Sequence, residues 1–124
     1  MAKIILIEDS KVLAQALKPA LELKGHTVLW INEGRRAVLE IKKFKPEIIL
    51  LDLMLPHVNG FEICEAVKSD MALMKIPVII MSTLTGQEDI ERAKNAGADH
   101  FISKPYDLKQ TLNEILKFIP KEQK

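Results

Sequence analysis

At 124 residues with 48% apolar content, the chain has the length of one domain and enough apolar surface for a conventional core without disulfides or a structural metal. Its 18 basic and 17 acidic side chains give a formal net charge of +1, so no global field gathers nucleic acid or an anionic membrane. The single cysteine, Cys64, excludes an internal disulfide and a CxxC motif, and no apolar stretch approaches the roughly 18 to 20 residues of a membrane span.

The first apolar run, Ile4 to Ile7, is too short for a helix and continuous rather than alternating, as expected of a strand covered on both faces. Glu8 and Asp9 end it far too early for the apolar stretch of a signal peptide, and the expected compartment is the cytoplasm. Leu13, Ala16, Leu17, Ala20 and Leu21 follow the spacing of a helix packed on one face, with Gly25 where that helix would stop. Pro19 falls inside it, removes a backbone donor and predicts a kink or local irregularity. Thr27 to Ile31 reads as the second strand, with Trp30 as a distant reporter of any site at the strand ends. Glu47 to Leu51 is the third strand, with Asp52 just past it. Pro56 through Gly60 forms a turn into the next helix, for which Asn59 and Glu62 have capping-box spacing.

Pro77 to Met81 is the fourth strand, followed by Ser82. Thr85 and Glu88 repeat the capping-box spacing. The helix beyond them offers only Ile90 and Ala93 as apolar anchors across residues 87–95, so little burial holds it and it can shift at low cost. Gly97 marks its end, and His100 to Ser103 is the fifth strand, followed by Lys104. Leu108, Leu112, Ile115, Leu116 and Ile119 define the last helix, and the lysine-rich end, Lys121 to Lys124, reads as a solvated tail. No repeat, low-complexity segment or linker interrupts this pattern.

Five strands alternating with five helices imply right-handed crossovers and helices on both faces of a parallel sheet. The expected fold is α/β, a doubly wound (βα)5 flavodoxin-like arrangement with strand order 2-1-3-4-5, forming one domain over residues 1–124 with a core from about 3 to 118. That order places the ligand crevice where strands 1 and 3 lie side by side. Glu8 and Asp9 end one of these strands and Asp52 the other; Ser82 and Lys104 fall on the same rim. Three carboxylates, a hydroxyl and an amine form a site for a divalent cation and a phosphoryl group.

The sign of that charge discriminates between functions. A flavin or mononucleotide site cradles phosphate with glycine-rich backbone donors after the first strand, whereas this chain has Glu8, Asp9, Ser10 and Lys11 there, without a glycine. Hard oxygen ligands suit Mg²⁺ instead. Glu8 and Asp9 could simply cap the first helix and favour its dipole. With Asp52 and Lys104 on the same rim, the site reading is preferred. His26, His57 and His100 have no metal-ligand spacing and read as surface or loop histidines.

Four fragments together carry a family resemblance: Ile-Leu-Ile-Glu-Asp-Ser at 5–10, Leu-Leu-Asp-Leu-Met-Leu-Pro-His-Val-Asn-Gly-Phe-Glu at 50–62, Pro-Val-Ile-Ile-Met-Ser-Thr at 77–83 and Gly-Ala-Asp-His-Phe-Ile-Ser-Lys-Pro at 97–105. In this order and spacing the chain resembles a response-regulator receiver domain of two-component signalling, of the stand-alone chemotaxis-regulator or phosphorelay type. The resemblance implies that Asp52 takes a phosphoryl group from the phosphohistidine of a histidine kinase or phosphotransfer protein. It implies Mg²⁺ on the Asp9 and Asp52 side chains and the Met54 backbone carbonyl, with Glu8 acting directly or through a metal-bound water, and with Lys104 and Ser82 contacting phosphoryl oxygens. Ser82 and Phe101 would couple the site to the face made by the fourth helix, fifth strand and fifth helix, where a downstream protein binds. Lys104-Pro105 resembles the family's cis peptide.

On this reading the protein is a phosphorylation-dependent signalling switch and not an enzyme, beyond self-phosphorylation and slow self-dephosphorylation. It has no direct nucleic-acid or membrane partner. The chain ends soon after the last helix, so output is expected through a partner protein unless the chain is a receiver fragment of a larger regulator, attached to a cyclic-dinucleotide enzyme or a DNA-binding output. Receivers joined to winged-helix DNA-binding domains usually carry an acid where this chain has His100, which counts against that subclass. A haloacid-dehalogenase enzyme would need an acid where Met54 stands, and a pseudo-receiver interaction module typically lacks one of the acids or the lysine. Met54 and Leu84 are expected to flank the approach of water to an aspartyl phosphate and to lengthen its life.

Overall fold

The computed structural model describes residues 2–55, 57–83, 86–103 and 107–119. Pro56, Leu84, Thr85, Lys104, Pro105 and Lys121 to Lys124, on which several sequence expectations fall, lie outside the described residues.

Burial on both faces makes the strands. Ile4, Ile5, Leu6 and Ile7 are all fully buried, as are Ile48 to Leu51 and Val78 to Met81, which is why these runs are continuous rather than alternating. In chain order the elements are β1 (Lys3–Ile7), α1 (Lys11–Leu23), β2 (Thr27–Ile31), α2 (Ala37–Phe44), β3 (Ile48–Asp52), α3 (Gly60–Ser69), β4 (Val78–Ser82), α4 (Gln87–Asn95), β5 (His100–Ser103) and α5 (Leu108–Lys117). The strands form one parallel sheet in the order β2-β1-β3-β4-β5, as the sequence predicts. No helix among the described residues is long and apolar enough to cross a membrane.

Successive strand residues feed two cores. Ile5, Ile7, Ile49, Leu51 and Ile80 pack with Ile41 of α2, Phe61 and Val67 of α3, and Ala93 of α4. On the opposite face Ile4, Leu6, Ile48, Leu50 and Ile79 pack with Leu17 and Leu21 of α1 and Ile115 of α5. The register sets Ile7 beside Leu51, Asp52 beside Met81 and Ser82 beside Ser103. The polar residues that end β1, β3 and β4 therefore share one rim.

Local structure departs from expectation in the rotation of α1 and in the cap of α4. The buried stripe of α1 is Ala14, Leu17 and Leu21, while Ala16 is exposed, so the helix is turned away from the predicted face. Alanine reads as apolar at either position and does not fix the rotation. Pro19 leaves α1 unbroken to Leu23; Pro19 and Gln15, whose carbonyl loses its donor, both lie on the exposed side where water can replace it. Helix α4 is capped by Gly86 without a side-chain hydrogen bond. The caps of α1, α3 and α5 follow sequence rules: Ser10 Oγ accepts from the Leu13 N–H at 3.3 Å, Asn59 Oδ1 from the Phe61 N–H at 2.8 Å and Asp107 Oδ1 from the Gln110 N–H at 3.2 Å.

Candidate functional site

The rim is built around Glu8. One residue past β1, its N–H donates to the Ile31 carbonyl at 3.0 Å, and its own carbonyl accepts from the Trp30 indole Nε1–H at 2.7 Å. Its side-chain Oε2 accepts from the Ser10 N–H at 3.1 Å, and Ser10 in turn caps α1. The acid is therefore not the helix cap; it holds the residue that is. Glu8 is 1% exposed and Asp52, at the end of β3, is 5% exposed, whereas Asp9 faces solvent.

The carboxylates of Glu8, Asp9 and Asp52 offer ligand atoms that all lie within 4.8 Å of one another. Like charges gathered so closely repel: near a protein surface two unit charges about 4 Å apart interact by about 4 kcal/mol. A small divalent cation with a preference for hard oxygen ligands fits this donor set and reverses the sign of the interaction.

The backbone around Asp52 is equally constrained. Asp52 Oδ1 accepts from the Met54 N–H at 3.1 Å, which fixes the carboxylate against the loop after β3. Met54 pairs with Asn59 as an antiparallel bridge, closing that loop at the entrance to α3. At Gly60 a Cβ would stand 2.6 Å from the Asp52 carbonyl oxygen and 2.6 Å from the Leu53 Cα, so the first turn of α3 lies directly on the backbone of the acid. Ser82 is fully buried at the end of β4. Beside it, Thr83 Oγ1 donates to the Met54 Sδ at 3.9 Å, joining the loops after β3 and β4.

Of the residues expected at the site, Glu8, Asp9, Asp52, Met54 and Ser82 fall on this rim, and Lys104 lies outside the described residues. Phe101 is half-buried on β5 and packs against the core that faces α4. That helix is lightly held: Ala93 is its one buried residue, Ile90 is exposed, and the Arg92 guanidinium sits over the Phe61 ring at 4.2 Å.

Two expectations change. His100 is not a surface or loop histidine: it is half-buried on β5, its Nε2 lies 2.7 Å from Glu114 Oε2 of α5, and its ring stacks on Phe118 at 5.1 Å. The hydrogen bond to His100 holds the Glu114 carboxyl below its ordinary range. Trp30 is not distant from the rim, since its indole touches the main chain of Glu8. The register signals this, because β2 borders β1 and Trp30 lies opposite Leu6, two residues before Glu8.

The sequence matches the response regulator receiver domain family across residues 4–116. Protein PilH of Pseudomonas aeruginosa is 34% identical over 94% of this chain and 98% of its own length. The DNA-binding dual master transcriptional regulator RpaA of Synechocystis is 30% identical over 93% of this chain and 48% of its own length. The chain spans about half the length of RpaA and of the mycobacterial DNA-binding response regulators MtrA that it also matches. Among solved structures, the receiver domain of a signal transduction histidine kinase from Syntrophus aciditrophicus shares 30% identity at a TM-score of 0.87, covering 96% of this chain and 90% of that one. The Vibrio cholerae chemotaxis protein CheY4 shares 26% identity at a TM-score of 0.88, covering 95% and 98%.

Proposed function

The chain belongs to the response regulator receiver family, and from that premise we propose that it is a signalling switch set by phosphorylation of Asp52. The observation that carries the reading is the convergence of the Glu8, Asp9 and Asp52 carboxylates within 4.8 Å on one rim of the sheet. An Asp52 carboxylate oxygen attacks the phosphorus of a phosphohistidine on a histidine kinase or phosphotransfer protein. The phosphorus–nitrogen bond breaks, the histidine nitrogen keeps the electron pair, and an aspartyl phosphate remains.

Glu8, Asp9, Asp52 and the Met54 carbonyl hold Mg²⁺ in this reading. Bound there, the cation neutralises the charge of a phosphoryl group meeting a carboxylate. Lys104 pairs with one phosphoryl oxygen, and the Ser82 hydroxyl donates to another. The hydrogen bond from the Met54 N–H presets the Asp52 carboxylate, so that phosphoryl transfer needs positioning more than rearrangement. Ser82 and Phe101 pass the change to α4, whose single buried residue makes it easy to displace. The face of α4, β5 and α5 then presents a different surface to a protein partner.

The protein turns over no substrate in this reading. It accepts a phosphoryl group, labels itself from small phosphodonors and loses the group slowly, as one cytoplasmic domain without direct contact to nucleic acid or membrane. A second reading, the receiver part of a longer DNA-binding regulator, is favoured by the RpaA and MtrA matches over about half their length.

Incubation with acetyl phosphate and Mg²⁺, followed by intact-mass spectrometry, tests the proposal. One phosphoryl adduct is expected on the native chain, and none on Asp52→Asn or in excess EDTA. Stoichiometric labelling of the variant, or of the native chain in EDTA, would overturn it.

A further inference from the structure

We propose that Trp30 is a positioning residue for the cation site: its indole N–H holds the Glu8 carbonyl so that the Glu8 and Asp9 carboxylates stand ready for a divalent cation. This rests on the reading of the acidic rim as a Mg²⁺ site.

The β1 ladder pairs with β2 as far as Ile7 opposite Ile31, and Glu8 lies just beyond it, where the chain turns toward α1. Three hydrogen bonds nevertheless fix this residue. The Ile31 carbonyl takes its N–H at 3.0 Å, the Ser10 N–H holds its Oε2 at 3.1 Å, and the Trp30 Nε1–H holds its carbonyl at 2.7 Å. The last is the one that reaches across 22 residues from a side chain. An indole N–H donates and cannot accept, so its nitrogen cannot ligate a cation. What it can do is satisfy a carbonyl at the point where the backbone would otherwise move.

There is a reason for that backbone to move. Three carboxylates crowd within 4.8 Å of one another, and two of them belong to the adjacent residues Glu8 and Asp9. The mutual repulsion of like charges works against holding Glu8 and Asp9 this close to Asp52. The Trp30 ring packs against the core formed by Leu6, Leu17 and Leu21, so its N–H is aimed by packing that does not depend on the charge at the rim. A donor fixed in this way resists the repulsion and lowers the ordering cost when the cation arrives. Trp30 is the only tryptophan, so the same contact makes its emission a local reporter of the site.

Trp30→Phe keeps an aromatic ring for the core and removes the donor. Mg²⁺ affinity is read by isothermal titration calorimetry on the native chain and the variant, and thermal unfolding is followed in EDTA. The expected result is Mg²⁺ binding weakened about two- to tenfold, the range one net hydrogen bond spans, with the variant still unfolding in a single cooperative transition in EDTA, at a midpoint lowered by a few degrees. Acetyl phosphate labelling of the variant should return to the native rate at saturating Mg²⁺, because position rather than chemistry has been lost. Equal affinities for variant and native chain would overturn the proposal while leaving the Mg²⁺ reading intact. A native chain that binds no Mg²⁺ would overturn both. Should the variant fold poorly, the indole N–H resonance of the native chain decides: it must shift on Mg²⁺ saturation together with the Asp9 amide, and an unmoved indole beside a shifted Asp9 defeats the role of Trp30.

Discussion

The two ends of the sheet solve opposite electrostatic problems. At the carboxyl end, Glu8, Asp9 and Asp52 gather charge of one sign. At the amino end, Lys68 of α3 donates to the Met74 carbonyl at 3.1 Å and the Ile76 carbonyl at 2.7 Å, and pairs with Asp99 Oδ2 at 2.8 Å. The same Asp99 oxygen accepts from the Val78 N–H at 2.8 Å, where β4 begins. Gly97 makes room for this cluster: it has φ +99°, and a Cβ there would stand 2.7 Å from the Lys68 Cγ. One end closes its polar groups on themselves, and the other gathers a set of carboxylate oxygens that a divalent cation fits.

Substitutions at the two ends should therefore fail differently. The largest loss of stability is expected for Gly60→Ala, whose Cβ would press on main-chain atoms of Asp52 and Leu53 rather than on a movable side chain. Chemical denaturation should show a loss of about 3 kcal/mol, together with impaired phosphorylation. Lys68→Met keeps the stem but strips two carbonyls and the Asp99 carboxylate of their shared donor; the lysine side chain is only 17% exposed, so the loss should reach about 2 kcal/mol. Acetyl phosphate labelling of that variant should stay at the native rate. A slowed rate would show that the two ends are coupled.

Arg92→Ala probes the link between the ends through α4. Removing the guanidinium from the Phe61 ring should cost about 0.5 to 1 kcal/mol and raise amide hydrogen exchange in α4 before any other helix. The smallest effect is expected at Cys64, buried between α3 and the end of α4 with its Sγ donating to the Ala96 carbonyl at 3.4 Å. Burial pushes the thiol up to about 11, so the native chain should resist a thiolate-selective reagent at neutral pH. Because the folded value lies above the ordinary 9.0, the stabilising contribution is complete below that pH and is lost as the pH rises through about 11. Urea midpoints measured across that range check the sign.

What the sequence reveals about this molecule is what a single strand or a short motif can encode. Continuous apolar runs such as Ile4 to Ile7 declare burial on both faces, and alternation with helices then yields the sheet order found. Once that order is known, Glu8, Asp9 and Asp52 must share a rim. Contacts between side chains on separate elements carry no such local signal. The Arg92 guanidinium on Phe61, and His100 between Glu114 and Phe118, each depend on how far one element is rotated against another. The rotation of α1 shows the same limit, because Ala14 and Ala16 differ only in which way the helix turns.

The contrast between the two ends is tested most directly by amide chemical shifts of the native chain on adding beryllofluoride with Mg²⁺. The expected changes concentrate at Asp9, Asp52, Ser82, Phe101 and α4, leave Lys68, Val78 and Asp99 in place, and vanish when the metal is stripped with EDTA. Shifts of equal size at both ends of the sheet, or shifts that persist in EDTA, would contradict a metal-dependent phosphoryl switch confined to the carboxyl rim.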